Sequence, residues 1–98
     1  MSRSYRVQIE IKPVAKTKGA MKQTRKAIQA NCDVNIEGEL HLDDYASFWG
    51  DVTLGMSTAP VEVHDELVHA FPKQTVSTRW LCWDDHPWDH EFEGRKYR

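Results

Sequence analysis

The chain has 98 residues, of which 40% are hydrophobic and 29% are charged, a balance typical of one folded domain rather than of a disordered segment. No apolar run approaches the roughly 18 residues that a membrane-spanning helix requires. These features exclude a helical membrane protein and predict a single soluble domain over residues 1–98, with no membrane partner.

The N-terminal residues and the cysteines predict a cytoplasmic protein. The first six residues lead directly into an alternating pattern, without the apolar segment of an export signal. Cys32 and Cys82 have neither CxxC spacing nor a third partner, so we expect free, buried thiols in a reducing compartment.

Charge is strongly segregated along the chain, although the formal net charge is only −2. Residues 1–30 carry eight Lys or Arg side chains against one acid, Glu10, whereas residues 31–94 carry fourteen acids against Lys73 and Arg79. This asymmetry bears on partners and self-association rather than on the fold.

The first two elements are predicted to be a strand and a basic helix. Apolar and polar side chains alternate from Tyr5 to Ile11, which is the period of a half-buried strand, and Pro13 closes it. From about Lys18 the apolar residues fall at helical spacing, and the outer face of this helix carries Lys18, Lys22, Arg25 and Lys26.

Two strands joined by a turn are predicted next. In the first of them the inward face is expected to carry Val34, Ile36, Gly38, Leu40 and Leu42. Asp43-Asp44 has turn chemistry, and the following strand places Phe48, Gly50, Val52 and Leu54 inward.

The second half of the chain predicts a helix, a strand and a tail. Thr58 is the expected N-cap, Pro60 lies just inside the helix, and Pro72 ends it. Residues 75–83 are β-branched and aromatic, as in a strand. For the aromatic tail 84–98, packing over the sheet is one alternative.

The predicted order is strand, helix, strand, strand, helix, strand, which is the ferredoxin-like split βαβ arrangement. It implies an α+β domain with a four-stranded antiparallel sheet and both helices on one face. The sheet order 4-1-3-2 would place Cys32 and Cys82 near opposite edges, beyond disulfide reach.

Part of the second half also carries a family likeness. Its helix entry is Ser57-Thr58-Ala59-Pro60, its apolar spacing and helix end use Val63, Leu67 and Phe71-Pro72, and Phe92 and Gly94 follow the last strand. Residues 57–94 thereby resemble the ferredoxin-like domain of phage- and plasmid-encoded proteins of unknown function, although the Trp-Ser-Pro-Pro helix entry of that family is absent. The resemblance implies the fold and a mobile genetic element as the source, and it implies no activity.

No catalytic or cofactor motif is present, since the chain has no GxSxG elbow, HExxH motif or phosphate-binding glycine loop. We therefore predict a non-enzymatic protein without a cofactor. One metal-dependent alternative uses Asp85, His86 and His90, because two imidazoles four residues apart share one helix face. Pro87 disfavours that helix, and a solvated acidic loop is the simpler interpretation.

Nucleic-acid binding is a second alternative, through the basic helix face of Lys18, Lys22, Arg25 and Lys26. The open sheet face is expected to disfavour it, because carboxylates repel phosphates and that face would carry Gln8, Glu10, Asn35, Glu37, Glu39, His41, Trp49 and Asp51. A charged helix face is also commonly just solvated.

The preferred hypothesis is a small binding or regulatory protein that acts through a protein partner or through a homodimer, with an inhibitor or accessory role. Tryptophan is enriched at interaction hot spots, and carboxylates steer association with a basic surface. The predicted partner-binding residues are Trp49, Trp83, Trp88, Glu37, Glu39 and Asp51. Packing within the domain is the alternative role of the three tryptophans.

Overall fold

The computed structural model describes residues 3–55, 57–82 and 90–92, and they form an α+β arrangement of one antiparallel sheet and two helices. The elements in chain order are β1 (Arg3–Lys12), α1 (Lys18–Asn31), β2 (Val34–Leu42), β3 (Tyr45–Leu54), α2 (Pro60–Ala70), β4 (Thr75–Cys82) and β5 (His90–Phe92). Neither described helix has the length and apolar character needed to cross a membrane.

Within the described residues the sheet has five strands in the order β2-β3-β1-β4-β5, one more than the four predicted. The fifth strand is only three residues long and pairs with β4, with Thr78 opposite Phe92. Three residues are too few to show an alternating pattern in the sequence. The remainder of the predicted tail, residues 84–89 and 93–98, lies outside the described residues.

One face of the sheet holds the core. The odd-numbered residues of β1 and the even-numbered residues of β3 and β4 share this face, because antiparallel partners point the same way. Both helices cover it, with Ile28 of α1 and Leu67 of α2 fully buried. Trp80 is also fully buried, and its ring meets that of Tyr5 edge-on at a centroid distance of 5.7 Å.

The helix boundaries follow local capping chemistry. The Thr17 hydroxyl accepts a hydrogen bond from the Ala20 amide at 3.0 Å, so α1 begins at Lys18 as predicted. The predicted N-cap of α2, Thr58, is wrong by one residue. Ala59 occupies that position, and its amide donates to the Glu62 carboxylate at 2.8 Å, which replaces the side-chain cap that alanine lacks.

A β-bulge divides β2 into two halves with opposite facing. Ile36 pairs with Gly50 and Gly38 pairs with Trp49, so Glu37 is an extra residue with no partner of its own in β3. Before the bulge, Val34 and Ile36 face the helices, as predicted. Beyond it the alternation is shifted by one residue, and Leu40 and Leu42 face away from the helices.

The backbones of β2 and β3 approach each other closely at Gly50. A methyl group at this position would overlap the carbonyl oxygen of Asn35, which is backbone and has little room to move. The bulge therefore depends on a residue without a side chain opposite it.

Replacing Gly50 with alanine tests this dependence. Gly50→Ala is expected to lower the free energy of unfolding by about 1–3 kcal/mol, because the new methyl group forces the two backbones apart. Gly19→Ala is the matched control, since a methyl group there meets no atom within 4 Å and should raise helix stability by up to about 1 kcal/mol. Urea unfolding of both variants measures the difference. An equal effect of the two substitutions would contradict the close approach.

A buried polar cluster joins α2 to β4. Thr78 is fully buried, and its hydroxyl accepts a hydrogen bond from the Trp80 indole N–H at 3.0 Å and bonds to the Nδ1 atom of His64 at 3.0 Å. His64 is fully buried as well. Burial lowers the pKa of His64, an effect that Asp65 partly opposes.

This lowered pKa predicts a pH-dependent stability. As the pH falls below 6.5, the ordinary pKa of histidine, His64 becomes protonated in the unfolded chain but stays neutral in the folded protein. The free energy of unfolding therefore decreases. The decrease ends below the pKa of the folded state. In urea unfolding at about pH 7.5 and 5.5, His64→Gln should lose less stability than the wild type.

His69→Gln, at an exposed position of the same helix, is the matched control for the general effect of a histidine-to-glutamine exchange on the free energy of unfolding at about pH 7.5. A His64→Gln variant whose stability falls as steeply as that of the wild type would disprove the assignment to His64.

Candidate binding surfaces

The sheet face away from the helices, called the open face, is organised by Arg6. Its guanidinium donates to the Glu37 carboxylate at 3.2 Å and to the Asp51 carboxylate at 3.4 Å. The three side chains are 33–42% exposed, so each ion pair contributes at most about 1 kcal/mol. Glu37 and Asp51 therefore lie together on the open face, and part of their charge is already compensated within the molecule.

Trp49 also lies on the open face and is half-buried. Its indole ring covers Gly38, where a side chain would collide with the ring atoms. Because one side of its ring packs on Gly38, only the outer side of the Trp49 ring is available to a partner. Trp83 and Trp88, the other two predicted anchors, lie outside the described residues.

The prediction that Glu39 and His41 lie on the open face is wrong. The extra residue at the bulge turns both toward the helix side, where Arg25 of α1 donates to the Glu39 carboxylate at 3.0 Å. The His41 ring donates from Nε2 to the carbonyl oxygen of Val14 at 2.9 Å. Of the predicted partner-binding acids, Glu37 and Asp51 are thus brought together, and Glu39 is separated from them.

The outer strand β2 presents an apolar edge instead. Leu40 and Leu42 are 46% and 54% exposed, although the sequence pattern placed both in the core. They are the large hydrophobic side chains that the structure leaves exposed in its described part. Gly38 in mid-strand is the sequence signal for a bulge and could have revealed the shift. We call residues 38–42 of β2 the apolar edge.

A groove lies on the other side of the same strand, between α1 and β2. Its volume is about 510 Å³, and its polar lining consists mainly of Lys16, Lys18, Lys22, Arg25, Glu39 and His41. We call it the basic groove. Three of the four predicted cationic residues of α1 meet here, whereas Lys26 is exposed on α1 outside the lining. Lys16 precedes the helix and was not predicted.

The loop between β1 and α1 is anchored beside the groove by Val14. Its side chain is 3% exposed, its amide donates to the Asp44 carbonyl at 2.6 Å, and its carbonyl accepts from His41. The loop is thereby tied to both ends of the β2–β3 turn. These bonds hold the backbone near Lys16 close to β2, so that loop and helix charges share one groove.

The predicted metal site falls mostly outside the described residues. Asp85 and His86 are not described, and His90 is described only as backbone in β5. Within the described ranges, no three His, Cys, Asp or Glu side chains come together as a group that could hold a metal ion.

Cys32 is a free thiol buried at the end of α1, as predicted for this residue. Burial, reinforced by the charges of Asp33 and Glu66, raises the pKa of the thiol from 9.0 to about 11. At neutral pH the thiolate form is therefore scarce, and Cys32 does not have the character of a nucleophile.

The raised pKa of Cys32 predicts slow reaction with thiol reagents. In a Cys82→Ser variant, which leaves Cys32 as the one cysteine, labelling at about pH 8 should be at least tenfold slower than in the same variant unfolded in urea. A colorimetric disulfide reagent measures both rates. Equal rates in the folded and unfolded protein would contradict the burial of this thiol.

A comparison of the chain with protein-family models, curated proteins and solved structures finds no significant match. The apolar edge and the basic groove are the two features of the described structure that bear on function.

Proposed function

We propose that this chain is a non-enzymatic binding protein that acts through self-association, with the apolar edge of β2 as its contact surface. The observation that carries the proposal is the exposure of Leu40 and Leu42 side by side on an outermost strand. A second copy of the chain is the partner that this edge fits best.

An outermost strand has backbone N–H and C=O groups that another strand can pair with. β2 is nine residues long and pairs with β3 on one side, while no described strand occupies its other side. Exposed leucines on such an edge favour aggregation unless a defined partner covers them. Antiparallel pairing of two β2 strands would cover the leucines of both copies.

The directions of the side chains and their charges favour one register among those centred on Glu39, Leu40 and His41. Antiparallel partners must share a face, so the two-fold axis has to pass through a residue rather than between residues. An axis at Glu39 would place this carboxylate against its own copy, and an axis at His41 would place Glu39 against Asp43. Both arrangements oppose like charges, which destabilises a strand pair.

An axis at Leu40 avoids both repulsions of Glu39 and leaves one pair of like charges, Glu37 opposite Asp43, at the ends of the paired segment. Leu40 then faces its own copy, Leu42 faces Gly38, and Glu39 faces His41 on the helix side. The four leucines of the two chains form one apolar cluster on the open face, with glycine making room for the larger side chains. This register is therefore the one that the chemistry of residues 38–42 supports.

Crosslinking through cysteine tests the register directly. In a Cys32→Ala, Cys82→Ser background, Leu40→Cys should form a disulfide dimer on mild oxidation, because directly opposite Cα atoms lie about 4.5–5.5 Å apart. Leu42→Cys is the matched control, since its two copies would lie four residues apart along the strand, roughly 14 Å, and should not crosslink. Equal crosslinking at both positions would contradict the register.

The mass in solution tests self-association itself. Light scattering should give a dimer for the wild type, and Leu40→Lys should weaken the dimer about tenfold or more, because burial of one leucine contributes roughly 1–2 kcal/mol. Thr53→Lys is the control, since it adds the same charge at an exposed position of β3 away from the edge. A monomeric wild type at high concentration would disprove the proposal.

The ferredoxin-like assignment is part of the same proposal. It is supported by the strand order β2-β3-β1-β4 and by two helices on one face, with β5 as an addition at the edge. Origin from a mobile genetic element, with an inhibitor or accessory role, rests on the resemblance of residues 57–94 alone.

A further inference from the structure

We propose that the basic groove binds the phosphodiester backbone of a nucleic acid without regard to its base sequence. The groove lies on the helix side of β2 and shares Leu40 with the apolar edge, but its cations lie on α1 and the loop before it, outside that edge. The inference therefore goes beyond self-association and does not require it.

The groove concentrates positive charge that the domain does not neutralise. Lys16, Lys18 and Lys22 line it, and none of them forms an ion pair with another described residue. Arg25 is the cation whose charge is used internally, through its 3.0 Å bond to Glu39. Because the whole chain carries a net charge of −2, general attraction does not explain binding of a polyanion, and a local site is required.

The position of the groove removes the main objection to nucleic-acid binding. The carboxylates of Glu37 and Asp51 lie on the open face and pair with Arg6, on the side of the sheet away from the lysines. The acid that lines the groove is Glu39, which Arg25 already holds. A phosphate chain in the groove therefore meets lysines rather than unpaired carboxylates.

The residues that line the groove also indicate which part of a nucleic acid they would contact. The lining contains no Phe, Tyr or Trp side chain, and its apolar part consists of Met21 and Leu40. The imidazole of His41 is its one aromatic ring, and it is already bonded to the Val14 carbonyl. Bases are usually recognised by stacking on aromatic rings or by hydrogen bonds to their edges, and flexible lysines favour phosphate oxygens instead. We therefore expect salt-sensitive binding with little difference between base sequences.

Fluorescence anisotropy with a mixed-sequence DNA duplex tests the proposal. With three lysine contacts, the logarithm of the binding constant should fall with the logarithm of salt concentration with a slope of about −2.7. Affinity should then drop roughly 40-fold between about 50 and 200 mM salt. A second duplex of unrelated sequence should bind within about threefold of the first.

A pair of charge-matched triple variants locates the site. Lys16→Gln, Lys18→Gln and Lys22→Gln together remove three charges from the groove and should lower affinity at least tenfold at low salt, while reducing the slope nearly to zero. The control removes three exposed lysines outside the lining, Lys12, Lys26 and Lys73, again by substitution with glutamine. The control should keep most of the affinity and the wild-type slope.

A variant that binds the duplex more tightly provides a further test, because a variant that fails to fold would lose affinity rather than gain it. Glu39→Gln removes the carboxylate from the lining and releases Arg25, so it should tighten duplex binding several-fold and steepen the salt slope by up to about one unit. Glu62→Gln, an exposed acid of α2 away from the groove, is the matched control and should leave both values unchanged.

Three results would overturn the inference. They are no binding of the wild type to duplex at about 50 mM salt, equal losses in the groove and control triple variants, and binding of a sulfated polysaccharide without binding of the duplex. Light scattering of the two triple lysine variants separates this result from self-association, because both leave residues 38–42 in place.

Discussion

The two ends of the β2–β3 hairpin require registers that differ by one residue, and much of the structure depends on how this difference is absorbed. At the tip, the short Asp43-Asp44 turn pairs Leu42 with Tyr45, and Asp43 adopts a φ of 54°, a left-handed conformation that aspartate tolerates better than most residues. At the base, the core pairs Val34 with Val52. Continued without a bulge, the tip register would turn Val34 toward solvent.

Glu37 is the extra residue that allows the two registers to differ, and both binding surfaces result from this shift. On the open face the shift exposes Leu40 and Leu42, and on the helix side it brings Glu39 and His41 against α1 and its preceding loop. A single strand thus separates an apolar surface from a basic one. The segregated charges of the sequence become local pairs at Arg6 and Arg25, and the lysines of the groove remain without such pairs in the described part of the chain.

Most elements could be predicted because they depend on local chemistry. The alternation of β1, the helical spacing after Lys18 and the proline at the start of α2 each act within one segment, and each element lies where the pattern indicated. The inward face of β3 was predicted for the same reason. The three-residue β5 was missed because its pairing with β4 is a long-range interaction that leaves no local period.

The binding surfaces were harder to predict because they depend on the side of the sheet to which each side chain points, and not only on where a strand lies. An alternating pattern that continues through Gly38 gives no sign that the phase changes there, so Leu40 and Leu42 were assigned to the core and Glu39 to the open face. The basic helix face was predicted, but its groove also needs the loop residue Lys16 and the underside of β2. That assembly depends on the contacts of Val14, which no spacing rule encodes.

Because of the bulge, the register at the tip of the hairpin and the register at its base are set separately, whereas an uninterrupted strand pair would have one register throughout. In a regular hairpin, a change of one residue in the turn passes along the whole ladder and reverses the facing of every side chain. Here the base is held by the approach of Gly50 to Asn35 and by the burial of Val34, whereas the tip is set by its own turn. A change in the turn at the tip therefore does not have to change which side chains of β2 enter the core.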